Sequence, residues 1–166
     1  MMVGKILITI CGCALLYTYL LFPILLLLAS CFRPPSKQSG EKKTPLVTII
    51  FAFVNETQEL VKERIENLLT EGYENLEVIA VCDDKSRDDL AQLEEQFSSQ
   101  EVTFCRTEEK YGKTAAQNLG VEKAKGEILV FTDANTRFDK GAIEQLVTAL
   151  SVDNVGCVVG QLTYSG

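Results

Sequence analysis

Residues 6–32 run for 27 positions without an Asp, Glu, Lys or Arg. A helix of ~20 apolar residues crosses a bilayer core, so Ile6 to Phe32 is long enough to span one with tilt. Pro23 is tolerated in such a helix and would kink it. Tyr17 and Tyr19 fall near the middle of the run and give no interfacial belt. Basic residues are denser after the run (Arg33, Lys37, Lys42, Lys43) than before it (Lys5). The positive-inside rule then places the following domain in the cytoplasm. Residues 1–5 read as a tail and 6–32 as a single-pass anchor in the plasma (bacterial inner) membrane. Residues 33–44, rich in Pro, Ser, Lys and Gly, read as a linker. Two other readings compete. A secretory signal has an apolar region of only ~7–15 residues. Leu28-Ala29-Ser30-Cys31 has the form of a lipoprotein cleavage box, which would put the domain outside the membrane, and Cys31 is also placed for juxtamembrane acylation. The length of the run and the basic residues after it favour an uncleaved anchor.

The formal charge of −7 conceals a split: residues 1–43 carry +4 and residues 44–166 carry −11. An acidic domain without a basic stripe argues against nucleic-acid binding. The chain has no His, which excludes a Ser-His-Asp triad, a Cys-His pair and an H-E-x-x-H zinc site within it. Cys11, Cys13 and Cys31 lie in the apolar run, and Cys82, Cys105 and Cys157 in apolar strand contexts. None forms a C-x-x-C pair. This pattern suits small core residues in a reducing compartment better than a disulfide scaffold.

From Pro45 the chain alternates short apolar runs with amphipathic stretches. Leu46–Val54, Leu76–Cys82, Val102–Cys105, Ile128–Thr132 and Val155–Leu162 read as five strands. Ile128 to Phe131 does not alternate, so this strand is expected to be buried on both faces. Leu60, Val61, Ile65, Leu68 and Leu69 repeat at helical spacing, capped by Asn55 or Thr57 and ended by Gly72. Further helices are expected around Leu90–Phe97, over Thr114–Lys125 with Ala115, Leu119, Val121 and Ala124 inward, and over Ala142–Leu150. This order implies a mainly parallel, twisted α/β sheet with helices on both faces.

Ligands of open α/β sheets bind beyond the carboxyl ends of the strands. Asp133 and Asn135 stand at such an end and, two residues apart, project the same way. One acidic and one amide oxygen suit Mg²⁺ or Mn²⁺ shared with phosphate. The same pair suits a strand end followed by an Asx turn with no metal. Asp83 and Asp84 end the second strand, where carboxylates can accept from a nucleobase N–H or a ribose hydroxyl, or simply be solvated. Gly112-Lys113-Thr114 suggests a P-loop, but Thr107 stands where its first Gly is required and Glu108-Glu109 would repel phosphate. Lys113 can still reach a phosphate as a point charge, or be a solvated first-turn residue.

Taken together, four stretches resemble glycosyltransferase family 2. Val47-Thr48-Ile49-Ile50-Phe51-Ala52-Phe53-Val54-Asn55-Glu56 resembles V-S-I-I-V-P-A-Y-N-E. Val81-Cys82-Asp83-Asp84-Lys85-Ser86-Arg87-Asp88-Asp89 resembles V-V-D-D-G-S-T-D-G. Gly112-Lys113-Thr114-Ala115-Ala116-Gln117-Asn118-Leu119-Gly120 resembles G-K-A-A-A-L-N-x-G. Ala124 to Asn135 resembles A-x-G-E-I-I-V-F-x-D-A-D. The resemblance covers residues 45–163 in order, and the Tyr17-x-Tyr19-x-x-Phe22-Pro23 anchor is similar to that of membrane-bound bacterial members. It implies a GT-A fold, an inverting transfer from a nucleotide-diphosphate sugar (a UDP-sugar foremost), a divalent metal, and a lipid or polysaccharide acceptor at the cytoplasmic membrane face. By position, Ala52, Val54 and Glu56 would line the nucleotide pocket. Asp84 would bind the base with help from Asp83, and Lys113 and Asn118 would lie near diphosphate or ribose. Asp133 would contact ribose or metal, and Asn135 would take the metal-ligand place.

The sequence departs from the pattern at Ala52 and Val54, where a Pro and a base-stacking Tyr are usual, at Lys85 for a turn Gly, and at Asn135 for a second Asp. The family places its catalytic base after the fifth strand, where this sequence offers no candidate. Residues 45–166 therefore read as the donor-binding half of an enzyme, truncated or encoded as a fragment, and inactive in transfer on its own. A non-catalytic nucleotide-sugar-binding protein and, further off, a P-loop-type membrane protein are the alternatives.

Overall fold

The computed structural model describes residues 2–31, 44–83, 90–108 and 112–163. The chain divides into two compact units, Met1–Lys37 and Gln38–Gly166.

The first unit is helical throughout its described residues: α1 (Met2–Leu16), a π-helical turn (Tyr17–Leu21) and α2 (Phe22–Cys31). Helix begins at Met2, ahead of the uncharged run, because a single Lys5 does not interrupt an α-helix. Pro23 lacks an N–H and its ring crowds the carbonyl four residues back. The turn just before it widens to i→i−5 bonding, with Phe22 N–H donating to the Tyr17 carbonyl. The proline is thus absorbed in a π-bulge. Met2–Ala29 is 28 residues long and apolar enough to cross a membrane. The side chain of Cys31 and residues 33–43, with Arg33, Lys37, Lys42 and Lys43, lie outside the described residues.

The second unit runs β1 (Val47–Phe53), α3 (Gln58–Thr70), β2 (Leu76–Cys82), α4 (Leu90–Gln96), β3 (Val102–Arg106), α5 (Lys113–Lys123), β4 (Ile128–Asp133) and α6 (Ala142–Leu150). The strands form one parallel sheet in the order β3-β2-β1-β4. β1 and β2 are central, and their β-branched, apolar residues are buried almost end to end. Thr57 is the cap of α3, its Oγ1 accepting from Leu60 N–H at 3.2 Å. Val61, Ile65 and Leu68 of α3, Leu90 and Leu93 of α4, and Ile143 and Val147 of α6 cover one face of the sheet with Ile49, Phe51, Val78 and Ala80. α5 covers the other face, where Ala116 packs on Ile50, Ile79 and Val81. Its Gly120 sits so close to β1 that a Cβ there would meet Ile50 Cγ2 at 2.5 Å. Val121, expected inward, is 39% exposed because the approach is made through Ala116 and Gly120.

Two strand expectations are corrected. β4 is not buried on both faces: its burial alternates, and Leu129 and Phe131 are exposed. Among the described strands it lies at one edge of the sheet, and α5 packs over β1, β2 and β3 rather than over β4. Residues 155–162 form no strand. A strand exists by bonding to a neighbour, and these residues join no ladder with the described strands. Val159 and Leu162 are therefore exposed, and Cys157 with them. Only Cys82 of the domain cysteines is fully buried; Cys105 is half-buried.

At the amino-terminal end of the sheet, Glu77 of β2 is buried with three partners. Its Oε2 accepts from Thr48 Oγ1 at 2.6 Å and Lys125 N–H at 3.0 Å, and Lys125 Nζ lies 3.5 Å from Oε1. Thr48 Oγ1 in turn accepts from Gly126 N–H at 2.8 Å. This knot seats the α5–β4 connection on β1 and sets where β4 begins.

Candidate active site

The register brings three strand ends together. Ala52 of β1 lies opposite Val81 of β2 and Asp133 of β4. The chain leaves β1 at Val54, β2 at Asp83 and β4 at Ala134, all at the carboxyl edge where open α/β sheets take ligands. Ala52, Phe53, Val54, Glu56, Asp83, Lys113, Asp133, Ala134 and Asn135 line one cavity there, of about 250 Å³.

Seven of the sequence-derived candidates thus meet in one place: Ala52, Val54, Glu56, Asp83, Lys113, Asp133 and Asn135. Asn118 does not join them. It lies exposed on α5, about 200° around the helix from the sheet-facing Ala116. Asp84 lies outside the described residues, as does Lys85.

Glu56 is half-buried, and its Oε2 accepts from Val54 N–H at 2.7 Å, folding the chain back where β1 ends. Asp83 is 2% exposed, and both of its carboxylate oxygens are engaged. Oδ1 accepts from Thr107 Oγ1 at 2.8 Å and Oδ2 from Gly112 N–H at 2.8 Å. Asp83 therefore ties the ends of β2 and β3 to the start of α5. Gly112, with φ 86°, makes the left-handed turn into that helix. Lys113 follows as its first residue and pairs with Asp133 Oδ1. The two side chains are 58% and 55% exposed, so the pair is held in high dielectric and is readily exchanged for another partner.

Sequence reasoning missed Thr107 as a partner of Asp83, noting it only as the absent P-loop glycine. Its hydroxyl chemistry was the available signal. It also missed Ala134, whose burial at 4% faces Asp133 and Asn135 outward on either side of it. Thr136 N–H donates to the Asp133 carbonyl at 3.3 Å, so a backbone turn does follow β4.

Among the described residues no three His, Cys, Asp or Glu side chains converge on a point that could hold a metal. At the end of β4 the cavity instead offers the carboxylate of Asp133 and the amide oxygen of Asn135, with Lys113 beside them. That donor set fits Mg²⁺ or Mn²⁺ as these ions are bound with phosphates, through one or two protein oxygens with phosphate and water completing the shell.

The family model Glycosyl transferase family 2 matches residues 48–166. The chain belongs to glycosyl transferase family 2. Among curated family relatives, an N-acetylglucosaminyltransferase of Azorhizobium caulinodans is 28% identical over 122 residues, 72% of this chain and 31% of that protein. Glycosyltransferase GlyG of Streptococcus pneumoniae is 30% identical over 117 residues, 69% of this chain and 38% of that protein. The chain thus spans about a third of the length of these relatives. Among solved structures, the mannosyltransferase PcManGT of Pyrobaculum calidifontis, in complex with GDP-Man and Mn²⁺, superposes with a TM-score of 0.67 at 26% identity. The match covers 82% of this chain and 42% of that one. The parallel sheet described above is the GT-A fold.

Proposed function

We propose that this family 2 domain is the donor-binding part of a membrane-anchored, inverting glycosyltransferase. Its donor is a UDP-sugar and its acceptor a lipid or polysaccharide at the cytoplasmic face of the plasma membrane. One observation carries the reading: the cavity at the carboxyl edge gathers Asp83, Lys113, Asp133 and Asn135 from three separate segments. Asp133 and Asn135 would hold Mg²⁺ or Mn²⁺ with the diphosphate, and such an ion, when bound, supplies Lewis-acid neutralisation of the departing nucleotide. Lys113, released from Asp133, is placed to meet a phosphate oxygen. Asp83 keeps Lys113 in place by holding Gly112. Small side chains at Ala52 and Val54 leave the floor of the cavity open. PcManGT, among the solved relatives, is named with a nucleotide sugar and Mn²⁺, which supports this reading. Calorimetry of the full chain in detergent with UDP and with GDP, each in Mn²⁺, tests the reading. Saturable binding of UDP is expected, GDP alone would redirect the donor, and no heat from either would overturn it.

Asp84 is proposed to accept from the base. Charge-assisted hydrogen bonds contribute roughly 1.5–3 kcal/mol, so Asp84→Ala is expected to weaken UDP binding about 10–100-fold. Equal affinities in the same calorimetric experiment would remove Asp84 from the site.

The apolar helix Met2–Ala29 is proposed to span the membrane with its amino terminus outside. Protease added to intact cells should then spare residues 45–166. Their digestion, or a diacylglycerol group found on Cys31, would contradict this topology.

A further inference from the structure

Behind the cavity, α3 carries polar side chains on its otherwise apolar face. Arg64 shares the buried side with Val61, Ile65 and Leu68, and Asn67 lies one turn on from it. Both bond to the segment that bears Asp133 and Asn135. Arg64 Nη2 donates to Thr132 Oγ1 at 2.9 Å, and its Nη1 to Asn67 Oδ1 at 3.0 Å. The guanidinium also lies over the Phe138 ring, 4.7 Å from its centroid. Asn67 grips the backbone of Phe138 from both sides: Nδ2 donates to its carbonyl at 2.9 Å and Oδ1 accepts from its N–H at 2.8 Å.

This is a costly way to build a core. Arg64 is 2% exposed and its Nε has no hydrogen-bond partner. Among the described residues no carboxylate lies within ion-pair distance of it, and its bonds are to neutral oxygens. A buried cation without a paired anion is unfavourable, and an apolar side chain of similar volume is often the more stable choice. Burial first, and then Arg137, lower its pKa to about 10 against the opposing pull of Asp133, so it stays protonated at neutral pH. A position that gives up stability in this way is expected to serve a site. The site it adjoins is clear from the chain: Thr132 immediately precedes Asp133, and Phe138 is three residues beyond Asn135.

We propose that Arg64 and Asn67 are positioning residues for the metal–diphosphate site. By fixing Thr132 at one end and Phe138 at the other, they set the course of residues 133–137 and so the separation and direction of the Asp133 and Asn135 oxygens. The proposal rests on the reading of the cavity given above. Groups that orient metal ligands typically change metal affinity about 10–100-fold when removed.

The test uses the full chain in detergent, with UDP as probe, in Mn²⁺ and in chelator. Arg64→Met removes the fork and the charge, Arg64→Lys keeps the charge without the fork, and Asn67→Leu removes the grip on Phe138. Val61→Ala, a core change on the same helix face, is the control for lost stability. Arg64→Met and Asn67→Leu are expected to raise the Kd for UDP in Mn²⁺ about 10–100-fold. Binding in chelator should stay at its wild-type value, and Val61→Ala should bind as wild type despite a lower Tm. Arg64→Lys, the variant best able to fold, should be impaired like Arg64→Met. Affinity that follows Tm across all four variants would overturn the proposal, as would full rescue by Arg64→Lys. A wild type without Mn²⁺-dependent UDP binding would instead defeat the reading of the cavity, and this proposal with it.

Discussion

Asp133→Asn is expected to remove most Mn²⁺-dependent nucleotide binding, and Asn135→Asp to strengthen it. The pair at positions 133 and 135 offers a divalent ion one formal charge where the family pattern carries two. Two unit charges 4 Å apart interact by about 4 kcal/mol at the effective dielectric near a protein surface. Even with much of that lost to screening, one charge more or less should shift Mn²⁺ affinity about 10–100-fold. The shift should be largest at low ionic strength. Lys113 sharpens the contrast, because in the described structure it pairs with Asp133. Removing the carboxylate frees Lys113, whereas adding one at position 135 gives the ion a ligand that Lys113 does not already hold. Titrating Mn²⁺ into the three proteins, with and without UDP, measures the effect. Three identical curves would reduce Asp133 and Asn135 to a strand end and a turn.

The largest losses of stability are expected at the opposite end of the sheet. Glu77→Ala strands the Thr48 hydroxyl, bonded to Glu77 in a buried setting, and the Lys125 N–H, bonded to it in a part-buried one. An unsatisfied buried polar group costs about 1–3 kcal/mol. Gly126→Ala places a Cβ 2.6 Å from Thr48 N and Oγ1 and 2.9 Å from the Leu46 carbonyl. Two of those atoms are backbone and cannot step aside, so overpacking of about 1–3 kcal/mol is expected. Each kcal/mol should appear as roughly 4 °C in Tm. Burial raises the Glu77 pKa, but the bonds from Thr48 and Lys125 outweigh it and the net shift is downward. A carboxylate with a lowered folded pKa stabilises above its ordinary value and loses that contribution as pH falls through the folded value. Wild-type Tm should therefore decline on acidification below the usual carboxylate range, and Glu77→Gln should flatten that part of the profile. A pH-independent difference between the two would show that the charge of Glu77 is not what the knot depends on.

The parallel sheet was legible because β1 and β2 are apolar without interruption and the helices between them keep their period. Edge and centre were not legible. Ile128 to Phe131 is as apolar as a buried strand, yet Leu129 and Phe131 lie exposed because α5 stops short of that edge. An apolar run records composition and not which neighbour covers it. The same limit applies to residues 155–162, whose apolarity suggested a strand that pairs with none described. At the site, local spacing was enough to bring together Asp83, Lys113, Asp133 and Asn135, since each lies at or just beyond a strand end or starts a helix. It was not enough for Asn118, whose direction depends on the rotation of α5 that Gly120 fixes against Ile50. Arg64 and Asn67 were invisible for a different reason. Their partners Thr132 and Phe138 lie 68 and 71 residues away, and at helical spacing a buried Arg reads as one more solvated charge.

Asp133 and Asn135 are expected to take a divalent ion together with a nucleotide diphosphate and not before it. Electron paramagnetic resonance of free Mn²⁺, followed as the full chain is added with and without UDP, tests this directly. The free-ion signal should persist with protein alone and fall when UDP is present, beyond what UDP achieves by itself. A signal that falls equally without UDP, or UDP binding that survives a chelator unchanged, would contradict it.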